Sequence, residues 1–344
     1  MLRFALLCGM LLTVGCSPEP TESENPEATQ GQVYTCDLDP DTGKPLPDTC
    51  GTRSSDTGSN SINLSELKKL PLPAYFDCVR ENKGLLIAAH RGGPAPGYPE
   101  NTLETLQHGF AEGIRVFEVD IAESRDGVML LMHDNRLNRT TTGDGYVADT
   151  DWADLAGLRM VDDDGQRTDF HPPKLTDVLL WAKQSGAILE LDRKPTTSFR
   201  NIASAVRAAG AGDNVLLISY SDDEAAEIAA ADPGLMMTAG AKGSRDIGRL
   251  EARGIDRTRL VAWTGTSSPD YAAWARDIQE GVEPAFGTLG RKGERLDDQY
   301  WADGDASEYQ DLVDNGLVLL ATDEPYRVAA ALKSDDLARE KCGR

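Results

Sequence analysis

From Gly84 onward, apolar runs of strand length alternate with amphipathic segments of helical period, and this alternation predicts an α/β fold: a (β/α)8 TIM barrel. The apolar runs fall at 84–90, 115–121, 128–133, 187–194, 214–220, 235–240, 259–264, 282–287 and 317–322. The helical segments fall at 101–112, 175–185, 198–209, 222–231, 244–253, 269–280, 306–315 and 325–333. Strand followed by helix, repeated this often, means parallel pairing, because parallel neighbours need a crossover long enough to hold a helix. About 260 residues with no separate second domain suit a closed barrel; a doubly wound open sheet is the alternative. Nine runs compete for eight places, so one of them is short, a hairpin strand, or outside the barrel.

Local signals mark the helix ends. Asn101, with Glu104 three residues on, is expected to cap 101–112. Ser221 or Asp222 opens 222–231, and Ser268-Pro269 opens 269–280 with the proline in the first helical place. Gly113, Gly186, Gly210, Gly281 and Gly316 stand where a helix closes on a left-handed residue. The turn-rich stretch from Asn135 to Pro173 reads as an excursion on one side of the barrel, and residues 64–75 as an apolar lead-in packed beneath it.

Three segments divide the chain: 1–16 as a signal peptide with a lipobox, 17–63 as a flexible tether, and 64–344 as a single catalytic barrel domain. Arg3 and the apolar run after it are too short to span a bilayer and fit a signal core. Gly15 directly before Cys16 resembles a bacterial lipoprotein cleavage box, so the mature chain is expected to be exported and lipid-anchored at the cell envelope, or else periplasmic or secreted. The Pro-, Glu-, Ser- and Asp-rich tether carries too little apolar surface to fold alone. Of six cysteines, four remain after Cys8 and Cys16, an even number that suggests disulfides in an exported protein. Cys36–Cys50 and Cys78–Cys342 are the favoured pairs, the second because the two ends of a closed barrel lie near each other. A net charge of -22 excludes a basic nucleic-acid face.

The chemistry concentrates at strand ends. Strand residues alternate sides, so Glu118 and Asp120 share one side of their strand while Phe117 and Val119 share the other. Glu190, Asp192 and Lys194 likewise point one way. Buried carboxylates are costly unless a cation relieves them, and oxygen-only ligands favour a hard divalent ion, Ca²⁺ or Mg²⁺. The candidate metal ligands are therefore Glu118, Asp120, Asp192 and Glu190. His90 and His133 each end an apolar strand beside a charged residue, which suits a general acid and base near neutral pH. His108 and His171 read as ordinary structural histidines. Arg91 can hold a phosphate oxygen and Lys194 can meet an anion. No nucleophile elbow or phosphate-cradling glycine loop appears.

His90-Arg91-Gly92, Pro99-Glu100-Asn101-Thr102, Glu118-Val119-Asp120, Asp126-Gly127, His133-Asp134, the LNRTT run at 137–141 and Thr322-Asp323-Glu324-Pro325 occur in an order and spacing that resembles the glycerophosphodiester phosphodiesterases over about 84–333. The resemblance implies a (β/α)8 barrel, a divalent cation, and hydrolysis of glycerophosphodiesters to sn-glycerol 3-phosphate and an alcohol. It implies His90 and His133 as the acid/base pair, Glu118 and Asp120 as metal ligands, and Arg91 and Glu100 completing the site. The chain departs from the family pattern twice. Where that pattern has Glu-x-Lys, this chain has Asp192-x-Lys194 with Glu190 two residues earlier, and matching on the lysine makes Asp192 the third ligand. Trp263-Thr264-Gly265, the candidate substrate-side aromatic, falls one strand earlier than the family's late tryptophan segment. A lysophospholipase D or sphingomyelinase D-like phosphodiesterase, a non-catalytic binding lipoprotein, and a carboxylate-pair glycosidase are the alternatives, with a small phosphodiester or lysophospholipid as the expected ligand.

Overall fold

This computed structural model describes residues 33–35, 51–53, 70–333 and 339–343. All nine apolar runs are strands: β1 (Leu86–Ala89), β2 (Val116–Glu123), β3 (Met129–Leu131), β4 (Ile188–Arg193), β5 (Val215–Ile218), β6 (Met236–Gly240), β7 (Leu260–Trp263), β8 (Glu283–Gly287) and β9 (Leu319–Thr322). Eight of them pair in parallel around a ring in chain order. β9 pairs with β1, and β1 pairs with β2, so the ring closes and the open-sheet alternative falls. The surplus run is β3. It pairs antiparallel with the overhanging end of the eight-residue β2, from Ile121↔Leu131 to Glu123↔Met129, outside the ring.

The helices follow the predicted periodicity: α2 (Leu103–Ala111), α4 (Leu175–Ser185), α5 (Phe199–Ala209), α6 (Asp222–Ala231), α7 (Ser244–Glu251), α8 (Tyr271–Gln279), α10 (Ser307–Asp314) and α11 (Pro325–Ala331), with short α3 (Trp152–Leu155) and α9 (Leu296–Tyr300) in the excursions. Two predicted caps are displaced. Thr102, not Asn101, accepts from the Thr105 amide at the start of α2, because the Asn101 side chain is committed elsewhere. Asp270, not Ser268, caps α8, accepting from the Ala273 amide, and the helix starts at Tyr271 rather than Pro269. Ser221 caps α6 as expected.

The outward faces of the strands and the inward faces of the helices form one large apolar layer, which includes Phe117, Leu189, Ile202, Leu217 and Phe286. A second cluster lies inside the ring toward the N-terminal strand ends: Leu86, Val116, Ile188, Leu216, Met236, Val261, Ala285 and Leu319. Helix α1 (Leu72–Glu81) closes that end by burying Leu72, Tyr75, Phe76 and Val79, each contributing about 1.5–3 kcal/mol. Arg80 of α1 ion-pairs with buried Glu283 at the start of β8. A Cys78–Cys342 disulfide joins α1 to α12 (Arg339–Cys342), with Cα atoms 5.8 Å apart, as the meeting of the barrel's ends leads one to expect.

The 135–173 excursion has a small core of its own, with Leu137, Val147 and Leu155 packed on Ala122, Leu130 and Met132 of the β2–β3 ribbon. The chain divides into two units, Met1–Leu64 and Ser65–Arg344. In the first, Val33–Thr35 pairs antiparallel with Gly51–Arg53, within the stretch expected to be a tether. The signal segment, Cys16 and the Cys36–Cys50 pair lie outside the described residues. Among the described residues no helix is long and apolar enough to cross a membrane.

Candidate active site

The register between β2 and β4 builds the acidic wall. Glu118 lies beside Glu190 and Asp120 beside Asp192, on strands about 4.8 Å apart. All four are buried, and they point into the ring above its apolar layer. Oxygens of Glu118, Asp120 and Asp192 lie within 4.8 Å of one another, whereas Glu190, level with Glu118, does not join them. Matching on the lysine therefore agrees with the geometry: Asp192, not Glu190, converges with the other two.

Lys194 is the one cation that reaches between these acids among the described residues, with Nζ 2.5 Å from Asp120 Oδ1 and 2.7 Å from Asp192 Oδ2. One lysine does not balance the group. Burial, then the charges of Asp120 and Asp192, holds Glu118 protonated well above the usual carboxylate range. Burial and Asp192 push Glu190 up to about 7. For Asp120, burial is outweighed by Lys194, and its carboxyl stays low. Asp192 Oδ1 is buried without a hydrogen-bond partner. An orphaned carboxylate oxygen beside two further carboxylates is a donor set that fits a hard divalent cation.

The loop after β1 brings His90 and Arg91 to this wall. Arg91 sits at φ 51° and Asn101 at φ 57°, left-handed backbone that non-glycine residues adopt only where the surroundings enforce it. The surroundings are visible. The Arg91 amide donates to Glu118 Oε2 at 2.7 Å. The Asn101 amide donates to the Arg91 carbonyl, and its side chain bridges Asp120, donating to Oδ2 at 2.7 Å and accepting from the Asp120 amide at 2.9 Å. The strain thus fixes two of the three converging carboxylates.

Each histidine is aimed by a carboxylate. His90 Nδ1 is 2.6 Å from Asp323 Oδ1, at the end of β9, which leaves Nε2 facing the cleft 3.9 Å from Glu118 Oε2. His133 Nδ1 is 2.7 Å from Asp134 Oδ1, and its Nε2 lies 2.8 Å from Arg91 Nη2. A guanidinium can only donate, so His133 Nε2 accepts and Nδ1 carries the proton. Each aspartate is held in turn by an arginine: Asp323 by Arg295 at 2.8 Å, and Asp134 by Arg139 at 2.6 Å. Arg139 also grips both oxygens of buried Glu100, which accepts from Arg91 Nη1 at 3.0 Å. The hydrogen bond from Arg139 holds Asp134 far below its ordinary value.

The two histidines, the four acids and Lys194 line a cleft of about 530 Å³. The rest of its lining is uncharged and includes Ile218, Tyr220 beside Asp192, Gly240, Trp263 and Leu289. Trp263 ends β7 and lies against Gly287 of β8, where a Cβ would stand 2.9 Å from the indole. The glycine makes room for the aromatic from the preceding strand. Every site residue expected from the sequence (His90, Arg91, Glu118, Asp120, His133, Glu190, Asp192, Lys194 and Trp263) is at this cleft or bonded to a residue that lines it. His108 is elsewhere, stacked on Tyr98 at 4.1 Å.

Residues 90–215 match the model of the glycerophosphoryl diester phosphodiesterase family. This segment belongs to that family. An uncharacterized protein of Bacillus subtilis strain 168, YqiK, is 30% identical over 146 residues, 41% of this chain and 60% of its own. Human glycerophosphodiester phosphodiesterase 1 is 31% identical over 121 residues, 35% of this chain and 36% of its own. The chain therefore spans less than two thirds of these relatives. A glycerophosphoryl diester phosphodiesterase from Parabacteroides distasonis superposes with a TM-score of 0.65 at 26% identity, over 76% of this chain and 90% of that one.

Within the family domain the sequence reading missed Arg139 and Asn101 as parts of the site, although both stand in motifs it had singled out. Asp323 and Arg295 lie beyond the matched segment. Asp323 had a signal, an acid at the end of the last strand; Arg295, in a polar loop, had none.

Proposed function

We propose that this chain is a metal-dependent phosphodiester hydrolase that cleaves glycerophosphodiesters to sn-glycerol 3-phosphate and an alcohol. The observation that carries the reading is the pair of histidines, each with Nδ1 on an aspartate, flanking three converging carboxylates in one cleft. The family match and the human relative support the substrate class. A divalent ion, Ca²⁺ or Mg²⁺, held by Glu118, Asp120 and Asp192 would offset charge on the phosphoryl oxygens. Arg91 and Lys194 face the same anion as fixed cations, and Trp263 packs on the organic part of the substrate. His133, whose Nε2 lone pair accepts from Arg91 Nη2 and is released when Arg91 turns to the phosphoryl oxygens, takes the proton of the attacking hydroxyl, either the substrate's own, giving a cyclic phosphate that water then opens, or that of water. His90, doubly protonated with its Nδ1–H on Asp323, gives its Nε2 proton to the leaving alcohol oxygen. Asp134 holds His133 in the Nδ1–H tautomer that leaves Nε2 as the base, and Asp323 accepts from Nδ1 of the His90 imidazolium that serves as the acid.

The test is a panel of glycerophosphodiesters and lysophospholipids assayed with divalent ions and with a chelator. Hydrolysis that the chelator abolishes and added ion restores is expected; no hydrolysis of any phosphodiester sinks the reading, and phosphodiester hydrolysis that survives chelation overturns the metal dependence. We further propose export with a lipid on Cys16, which Arg3, the short apolar run and Gly15-Cys16 support. Mass spectrometry of the mature N-terminus tests it, and an unmodified chain retaining residues 1–15 would overturn it.

A further inference from the structure

The loop between β8 and α10 forms a bracket around the turn that carries Asp323. Gly290 donates its amide to Asp323 Oδ2 at 3.0 Å, and Arg295 pairs with the same oxygen at 2.8 Å and with Glu324 at 2.8 Å. Beneath them lies Asp297 of α9, fully buried and with no ion pair among the described residues. Its Oδ1 accepts from the Tyr309 hydroxyl at 2.6 Å and the Thr322 hydroxyl at 2.8 Å. Its Oδ2 accepts from the Asp323 amide at 2.9 Å. A buried carboxylate without a cation is costly, and here three hydrogen-bond donors offset that cost. What the carboxylate adds is a fixed acceptor under the main chain of Asp323. With the amide held by Asp297 and Oδ2 held by Gly290 and Arg295, Oδ1 is left at one position, 2.6 Å from His90 Nδ1.

We propose that Asp297 is a positioning residue that acts through Asp323 on His90. Its effect on turnover rests on the phosphodiesterase reading above; its effect on the His90 ring does not. His133 is the internal control, because its aspartate, Asp134, is anchored by Arg139 and lies outside the bracket.

The experiment uses the full chain with ¹⁵N-labelled histidine, and compares wild type with Asp297→Ala, Asp297→Asn and Tyr309→Phe by imidazole NMR, thermal melting and steady-state kinetics on the preferred phosphodiester. In Asp297→Ala the His90 Nδ1–H resonance broadens or shifts while that of His133 stays, and kcat falls about 10²-fold with KM nearly unchanged. Asp297→Asn, whose amide can turn to keep an oxygen under the Asp323 amide, retains the resonance and recovers most of kcat. Tyr309→Phe removes a donor from Asp297 but not the Asp323 contact, so it lowers the melting temperature and leaves kcat within about twofold. Should Asp297→Ala not fold, Asp297→Glu keeps the charge but moves it by one methylene, and a shifted His90 resonance again supports the assignment. An unmoved His90 resonance in the Ala or Glu variant overturns it, and so does a Tyr309→Phe loss of kcat equal to that of Asp297→Ala. A shifted resonance in a protein that hydrolyses no phosphodiester upholds the positioning and rejects the reaction.

Discussion

The two ends of the barrel interior are built from the same strands and solve opposite problems. Along β2, Val116 faces the apolar layer, then Glu118 and Asp120 face the cleft; along β4, Ile188 is followed by Glu190 and Asp192. At the N-terminal end the groups are matched. Apolar side chains meet α1, one buried acid, Glu283, meets one arginine, Arg80, although burial still pushes its carboxyl up to about 8, and a disulfide ties the plug in place. At the C-terminal end they are mismatched. Four acids share one lysine, and Asp192 leaves an oxygen orphaned. Two residues along a strand separate stability from chemistry. Removing a charge at the matched end should therefore cost stability without touching turnover, and removing one at the mismatched end should do the reverse.

The largest effects belong to the mismatched end. His90→Ala and His133→Ala should each lower kcat by about 10²–10⁴-fold, as loss of a positioned acid or base does, with melting temperatures close to wild type. Steady-state kinetics beside thermal denaturation checks this, and a near-normal rate in either variant removes that histidine from its role. The contrast breaks if these variants unfold, because the cleft would then be contributing to the core.

The matched end was the more legible in sequence, and the reason is range. Apolar alternation and helical period are local, so all nine strand runs and eight helical segments appear where their periods put them. Even the Cys78–Cys342 link follows once closure is assumed. The mismatched end depends on residues far apart in the chain. Asn101 carries the signature of a cap, but its side chain is claimed by Asp120 nineteen residues on, so the cap passes to Thr102. The parity of Glu190 and Asp192 is the same, and only the approach of Glu118 and Asp120 across the sheet decides which acid converges. Asp323 meets His90 across 233 residues, a contact that no local pattern encodes.

At the matched end, Arg80→Ala leaves Glu283 buried without its partner; burial already pushes that carboxyl up to about 8, so it takes a proton, and the loss should be about 1–3 kcal/mol. Denaturant unfolding measures that loss, and kcat should not change. Replacing Cys78 and Cys342 by serine should cost about 2–4 kcal/mol, again with turnover intact. If either change lowers kcat in protein that remains folded, the plug is coupled to the cleft and the two ends are not independent.

Glu190 gives the effect of opposite sign and the sharpest contrast, because its removal should stabilise the fold. Its carboxyl is raised from 4.5 to about 7 by burial and by Asp192. Between those values the unfolded chain has released the proton and the folded chain still holds it. Stability therefore falls as pH rises from about 4.5 to about 7, by roughly 1.4 kcal/mol for each pH step. Glu190→Gln carries no such proton, so its stability should lie level with wild type near pH 4.5, rise above it across that window, and hold a constant lead above about 7. A saturating divalent ion should shrink the lead, since a cation on Asp192 removes the charge that helps keep Glu190 protonated. Denaturant unfolding at pH 5 and pH 8, with and without the ion, reads all four conditions. A Glu190→Gln variant less stable than wild type at pH 8 would mean that this acid is matched after all, and that the mismatch is confined to Glu118, Asp120 and Asp192.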